Sequence, residues 1–224
     1  MALQWLRSGM RSGVFVAAIV CSGVVSTSAM AQEPGAAGNA QKGKQLSYTC
    51  LGCHGVDGYK NAYPNYSVPK LEGQHSEYIA AALKEYRDGD RAHLTMHSQA
   101  SSLTDQDVAD VAAYFAGKPL TADAKPVGEV PEAAKICTSC HGPNGVGITS
   151  QYPTLAGQHP DYIVRALQEY KHGGRKNPIM VGMAQTVKDE DIQTLADYFS
   201  KQRPALETES RPYTTLGGHE AAGK

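Results

Sequence analysis

Apolar residues recur along this chain at the spacing of amphipathic helices, and they do so in two matching halves. The spacing i, i+3, i+4, i+7 places side chains on one face of a helix. In the first half, the residues that meet it are Ile79, Ala82, Leu83 and Tyr86. In the second half, they are Ile163, Ala166, Leu167 and Tyr170. We therefore predict one such helix in each half, with its apolar face packed into a core.

A second helix of the same kind closes each half. Thr104 followed by Asp107 is typical of a helix N-terminus. The apolar face that follows in the first half consists of Val108, Val111, Ala112 and Phe115. Its equivalent in the second half consists of Ile192, Leu195, Ala196 and Phe199. Together these segments predict an all-α fold.

The two halves are copies of one unit. The segment PKLEGQHSEYI at 69–79 matches PTLAGQHPDYI at 153–163 with an offset of 84, which also relates Arg91 to Arg175. A repeat this long indicates a duplicated domain rather than a solenoid, whose periods are roughly 20–50 residues. We assign the first domain to residues 32–117, a proline-containing linker to 118–131, the second domain to 132–202 and a flexible tail to 203–224.

Residues 1–31 are predicted to be a signal peptide rather than part of the fold. A positively charged start precedes an apolar run over 13–25, which is too short for a comfortable membrane span, and small residues end the segment at Ala31. We expect cleavage after Ala31 and export to the periplasm. The alternative is an uncleaved anchor helix. Cys21 follows the bulky Val20, so we expect no lipid anchor there.

Cleavage changes the composition of the remaining chain. It leaves 19 Lys and Arg, the 21 of the full chain less Arg7 and Arg11, against 22 Asp and Glu. This mildly acidic balance gives no sign of the basic face that a nucleic-acid partner would require. The five cysteines become four and the six methionines become three.

Two short strings carry the chemistry, CLGCH at 50–54 and CTSCH at 137–141. In each, two thiols can bond to the vinyl groups of one porphyrin, and the histidine that follows can ligate its iron. The predicted attachment residues are Cys50, Cys53, Cys137 and Cys140. The predicted iron ligands on this side are His54 and His141. We therefore predict two covalently bound c-type haems, which use every cysteine left after cleavage.

The ligand on the other side of each iron decides what the site can do. Methionine gives an electron-transfer site of raised potential, a second histidine lowers the potential, and an open position permits catalysis. Met96 is the one methionine left in the first domain, and the offset of 84 carries it onto Met180. We predict Met96 and Met180 as ligands, with Met183 packed against the haem edge. His93 and His97 have no histidine counterparts in the second half, and we predict that they are surface residues near the haem.

An iron-bound histidine usually donates its second ring N–H to a carbonyl or carboxylate. Pro69 and Pro153 lie at matching places, 15 and 12 residues after His54 and His141. Their backbone carbonyls are candidate acceptors. The alternative, that these prolines only turn the chain, is equally compatible with the residues themselves.

Over about residues 40–202, the chain resembles the dihaem cytochromes c of the cytochrome c4 type. The resemblance rests on both haem motifs, the P-x-L-x-G-Q-H segments, Met96 and Met180, and the Tyr-Phe pairs that end the last helices. It implies two class I cytochrome c domains with His/Met ligation, Pro69 and Pro153 as acceptors, and delivery of electrons to terminal oxidases. Residues 127–136 depart from the pattern, because they lack the glycine and aromatic residues expected on a first helix.

We thus expect an electron-transfer protein rather than an enzyme. Its expected redox partners are a membrane-bound terminal oxidase and an upstream cytochrome complex or dehydrogenase, with peripheral association at the membrane. The alternative is an electron-accepting subunit of a dehydrogenase complex, for example with a flavoprotein. A dihaem enzyme would need an open or cysteine-ligated iron, and a zinc or dithiol protein would not need the paired histidines and methionines.

Overall fold

The computed structural model describes residues 37–117, 120, 124–203 and 206–209. The predicted signal peptide over residues 1–31 lies outside these ranges. Within them the chain is helical, and its β pairing is limited to three isolated bridges. This confirms the all-α prediction. None of the helices in the described ranges is both long and apolar enough to cross a membrane.

Helices of the first domain surround an apolar core. They are α1 (Ala40–Leu46), α2 (Leu51–His54), α3 (Ser76–Asp88), α4 (Leu94–Ala100) and α5 (Asp105–Ala116). Helix α5 is central, because α1 and α3 both pack against it, while α4 packs against α3. The buried core consists of Leu51, Ile79, Leu83, Tyr86, Ala100, Val108, Val111, Ala112 and Phe115. The predicted apolar faces of α3 and α5 therefore point inward.

The helix ends follow from local sequence. Helix α3 ends at Asp88 and is capped by Gly89, whose φ of 80° is left-handed and costs glycine little. Helix α5 begins with a capping box in which the Thr104 side chain accepts from the N–H of Asp107, and the Asp107 carboxylate accepts from the N–H of Thr104. This confirms the predicted start of α5.

Helix α1 lies very close to α5 because a glycine faces the contact. A methyl group on Gly43 would lie 2.5 Å from the carbonyl carbon of Asp110 and 2.9 Å from Cβ of Tyr114. Asn39 caps α1 with its side chain. The N–H of Asn39 also donates to Asp110 Oδ1 at 2.8 Å, which fastens the start of α1 to α5.

The second domain repeats this arrangement without a first α-helix. Its helices are α6 (Thr138–His141), α7 (Pro160–Lys171), α8 (Pro178–Thr186) and α9 (Ile192–Ser200). Helix α7 packs against α8 and α9. In the place of α1, a short 3₁₀ turn over Glu132–Ala134 contacts α9, with Ala134 fully buried. The departure seen in the sequence at 127–136 therefore corresponds to a shorter element.

Part of the linker and part of the tail are fastened to the fold. The N–H of Val127 donates to Gln202 Oε1 at 2.8 Å, and Gln202 Nε2 donates to the carbonyl of Val127 at 3.0 Å. Residues 206–209 then form hydrogen bonds to both domains. The N–H of Leu206 donates to the carbonyl of Ala156, and the N–H of Glu207 donates to the carbonyl of Glu72. The Tyr114 hydroxyl donates to the carboxylate of Glu209. The prediction of a flexible tail from residue 203 is wrong for residues 206–209, because Leu206 is an apolar anchor that is only 1% exposed.

Candidate functional site

Each Cys-x-x-Cys-His motif lies on one short helical turn. Cys50 immediately precedes α2, which contains Cys53 and His54. The second motif repeats this at α6 with Cys137, Cys140 and His141. Residues three apart share a face of a helix, so the two sulfurs of each motif point to the same side. These four cysteines are half-buried, and none of them forms a disulfide with another.

The two histidines are fixed in one tautomer by proline carbonyls. His54 Nδ1 lies 2.8 Å from the carbonyl oxygen of Pro69, and His141 Nδ1 lies 2.9 Å from that of Pro153. A carbonyl can only accept, so each Nδ1 carries the proton and donates it. The other nitrogen, Nε2, is therefore left with a lone pair. This is the form of imidazole that can ligate iron.

Burial keeps these histidines neutral. It lowers the pKa of both His54 and His141, and the hydrogen bonds to Pro69 and Pro153, which raise the pKa, only partly oppose it. The His141 ring also meets the edge of Phe199, with centroids 6.5 Å apart. Both rings are thus held in a dry environment and in a fixed orientation.

Two methionines are presented by helices that start in the same way. The N–H of Met96 on α4 donates to His93 Nδ1 at 3.2 Å, and the N–H of Met180 on α8 donates to Asn177 Oδ1 at 3.2 Å. Both methionines line one large cavity that His54 and His141 also line, whereas Met183 is not among its lining residues. The structure therefore brings the equivalent pair of methionines to the same cavity as the histidines.

His93 caps a helix at the edge of the cavity. Its Nδ1 accepts from Met96, and its Nε2 lies 3.3 Å from Asn61 Oδ1, to which it donates. It is half-buried and lines the cavity. The prediction of a surface residue near the haem did not include this capping role, although the equivalence of His93 to Asn177, a common cap residue, could have revealed it. His97 is exposed, as expected, and its Nδ1 donates to the carbonyl of Tyr86 at 2.9 Å.

One cavity of about 690 Å³ extends through both domains. From the first domain, its lining includes Cys50, Cys53, His54, Leu83 and Met96. From the second, it includes Cys137, His141, Leu155, Leu167 and Met180. Each domain thus contributes thiol, imidazole and thioether groups together with apolar walls. This donor set fits a large, flat, apolar group in each domain, with iron between nitrogen and sulfur.

Two buried arginines meet where the domains join, and the sequence predicts no role for them beyond marking the repeat. Arg91 and Arg175 are each 3% exposed and form an antiparallel backbone bridge with one another. Arg91 lies over the ring of Tyr86, and Arg175 lies over that of Tyr170, at 5.1 and 5.4 Å from the ring centroids. The repeated arginine and its tyrosine were visible in the sequence at the offset of 84.

Each arginine of this cluster pairs with a carboxylate, but one buried donor is left over. Arg175 Nε pairs with Glu169 at 2.7 Å, and Arg91 pairs with Glu85 at 3.2 Å. Arg91 Nε is buried and has no hydrogen-bond partner among the described residues. Burial raises the pKa of the neighbouring Tyr78 hydroxyl to about 12, so it stays protonated. Buried donors need hydrogen-bond acceptors, and a carboxylate of a haem facing this cavity would supply one for Arg91 Nε.

Comparison with known proteins agrees with this geometry. The cytochrome c family model matches residues 40–117 and 132–202. Cytochrome c4 of Pseudomonas aeruginosa is 37% identical over 180 residues, covering 73% of this chain and 88% of that protein. The crystal structure of reduced recombinant cytochrome c4 from Pseudomonas stutzeri is 32% identical, covers 74% of this chain and 100% of that one, and gives a TM-score of 0.60.

A second kind of relative is named as the electron acceptor of a dehydrogenase. The thiosulfate dehydrogenase electron acceptor of Stutzerimonas stutzeri is 29% identical over 170 residues, which cover 67% of this chain and 77% of that protein. Both kinds of relative match most of the length of this chain. The similarity therefore includes both domains.

Proposed function

Because this chain belongs to the cytochrome c family, as a dihaem electron-transfer protein of the cytochrome c4 type, we propose that it shuttles electrons between respiratory donors and a membrane-bound terminal oxidase. The observation that carries the proposal is the shared cavity, to which each domain contributes a histidine and a methionine. We place this activity in the periplasm, after removal of residues 1–31, because covalent haem attachment occurs outside the cytoplasm.

We assign the two c-type haems to the residues as follows. Cys50 and Cys53 hold the first haem, whose iron is ligated by His54 and Met96. The second set consists of Cys137, Cys140, His141 and Met180. The proline hydrogen bonds support the histidine assignments, and the matching helix caps support the methionine assignments.

When bound, each haem supplies one-electron chemistry at iron, and the protein sets its potential and exposure. The Pro69 and Pro153 carbonyls orient the histidines. Burial excludes water from the ligands, which favours the less charged ferrous form. The arginine pair balances negative charge where the domains meet. These roles require no bond to a substrate, which suits an electron carrier.

A second function is electron acceptance from a dehydrogenase complex. It is supported by the similarity to the thiosulfate dehydrogenase electron acceptor. The same two-domain arrangement serves both roles, because each needs only an entry haem and an exit haem. The two functions differ in the partner that reduces the protein.

The test is to measure the flow of electrons in each direction with the purified dihaem protein. Reduced protein mixed in air with membranes of the source organism should be reoxidised at a rate proportional to the amount of membrane, and boiled membranes should be inactive. Oxidase-active membranes that leave the protein reduced would overturn the proposal. Co-purification of a dehydrogenase whose substrate reduces the protein would support the second function.

A further inference from the structure

The P-x-L-x-G-Q segments place one glutamine in each domain for which the proposed function has no role. Gly73 and Gly157 adopt left-handed φ values of 86° and 73°. In each case a turn closes around the glycine, with Gln74 N–H donating to the carbonyl of Leu71 at 3.1 Å and an equivalent bond in the second domain. A turn of this kind needs glycine at its third position. It directs Gln74 and Gln158 into the opposite domain.

Gln158 of the second domain binds a single backbone residue of the first. The N–H of Lys70 donates to Gln158 Oε1, and Gln158 Nε2 donates to the carbonyl of Lys70, both at 3.0 Å. The N–H of Lys70 belongs to the same peptide group as the carbonyl of Pro69. That carbonyl accepts from His54 Nδ1 at 2.8 Å. One peptide group therefore connects Gln158 to His54.

The connection is reciprocal. The N–H of Thr154 donates to Gln74 Oε1 at 2.8 Å, and Gln74 Nε2 donates to the carbonyl of Thr154 at 2.9 Å. The same peptide group presents the carbonyl of Pro153 to His141 Nδ1 at 2.9 Å. Gln74 and Gln158 are 5% and 4% exposed, so water has little access to these bonds.

We propose that Gln74 and Gln158 are positioning residues, each of which sets the basicity of the haem-ligating histidine in the other domain. This rests on the proposed function, in which His54 and His141 ligate iron. Each domain thereby tunes the reduction potential of the haem in the other domain. The repeat thus provides a built-in route by which the two redox sites are coupled through the protein backbone.

The physical basis is polarisation along a chain of hydrogen bonds. A peptide whose N–H is engaged by a good acceptor carries more negative charge on its carbonyl oxygen, and it accepts more strongly. A stronger bond to Nδ1–H makes the imidazole a better donor to iron, which stabilises the ferric form. Loss of Gln158 should therefore raise the potential of the first domain's haem, and loss of Gln74 should raise that of the second.

A purely structural role for these glutamines, as staples between domains, makes a different prediction. Gln202 offers a matched control, because it is 1% exposed and bonds to both backbone groups of Val127 in the same two-point manner. No hydrogen bond of a haem-ligating histidine ends on the peptide groups that Gln202 holds. Gln202→Leu should cost stability without shifting either potential by a comparable amount.

The experiment is a redox titration of the full dihaem protein in which each haem is followed separately by its ferric haem-methyl NMR signals. Signals are assigned to a domain with Met96→Ala and Met180→Ala. In Gln158→Leu, we expect the ferrous-to-ferric ratio of the first domain's haem to increase about twofold to threefold at a given solution potential. At 59 mV per tenfold for one electron, this is a rise of about 20 to 30 mV. Gln74→Leu should shift the second domain's haem instead.

A second readout is the Nδ1–H resonance of His54 in the ferrous protein, which should move upfield in Gln158→Leu and stay unchanged in Gln202→Leu. If the leucine variant fails to fold, Gln158→Glu keeps an acceptor for Lys70 and should shift the first domain's haem to lower potential. Shifts confined to the mutated domain, or equal to those of Gln202→Leu, would overturn the inference. If the inference fails but the wild-type protein carries two haems with His/Met ligation, the proposed function stands. If the wild-type haems have other ligands, the proposed function itself is refuted.

Discussion

Replacing Gly43 with alanine tests the contact between α1 and α5. The new Cβ would lie 2.5 Å from the carbonyl carbon of Asp110, whereas ordinary contacts begin near 3.4 Å. The carbonyl oxygen of Asp110 would lie closer still, so helix α1 must retreat by more than the roughly 0.9 Å that the carbon contact alone requires. The retreat stretches the 2.8 Å hydrogen bond from the N–H of Asn39 to Asp110 Oδ1.

The expected loss of stability combines two effects. Overpacking of a close contact costs about 1–3 kcal/mol. A hydrogen bond to a charged group contributes about 1.5–3 kcal/mol, part of which is lost when the bond lengthens. Alanine is also a better helix former than glycine by up to about 1 kcal/mol, which partly offsets the loss. We therefore expect Gly43→Ala to lower the free energy of unfolding of the first domain by about 2–4 kcal/mol.

The assay is urea unfolding of the dihaem protein, followed by far-UV circular dichroism and by the haem signals of each domain. Gly182→Ala on α8 is the matched control, because nothing lies within 4 Å of its new Cβ. That variant should be as stable as wild type or up to about 1 kcal/mol more stable. A first domain in Gly43→Ala that keeps wild-type stability within about 0.5 kcal/mol would refute this account of the contact.

Three further predictions concern the ligands, an acidic group and the second core. Met180→Ala should remove one of the two sulfur-to-iron charge-transfer bands, while Met183→Ala should retain both; loss of a band in the second variant would reverse the assignment. The N–H of Asn39 and other hydrogen bonds lower the pKa of Asp110, so its stabilising effect is present above the unfolded pKa near 4 and is lost as the pH falls through the folded value. Asp110→Asn should thus reduce the urea midpoint at pH 7 and flatten its decline below pH 4, and a decline as steep as in wild type would contradict this. Leu195→Ala, at a position 2% exposed, should cost about 2–5 kcal/mol by calorimetry or urea unfolding, and a cost below about 1 kcal/mol would show that the core collapses around the cavity.

The sequence was sufficient for the parts of the site that depend on local order. The Cys-x-x-Cys-His motif places three groups on one helical turn, so its geometry follows from its spacing. The repeat predicted Met96 and Met180 as an equivalent pair, and both line the cavity. Helical periodicity likewise predicted α3, α5, α7 and α9, since each has one continuous apolar face.

The remaining features depend on contacts between distant parts of the chain. Gln74 reaches Thr154, 80 residues away, and no local pattern reveals such a pairing. The burial of Arg91 depends on aromatic rings and on the facing domain. Leu206 is the one apolar residue of the segment 206–209, so this stretch of sequence predicts exposure to solvent rather than contact with both domains.

Residues 206–209 make the contacts of the two domains unequal. They follow only the second copy, yet they reach Glu72 and Tyr114 in the first. A protein truncated after residue 202, where the match to the cytochrome c family ends, would lose a segment that contacts both domains. If the order of the two domains were exchanged, this segment would lie at the wrong end of the chain to make these contacts. The C-terminal segment thus adds an asymmetric connection to the reciprocal bonds that already join the two similar domains.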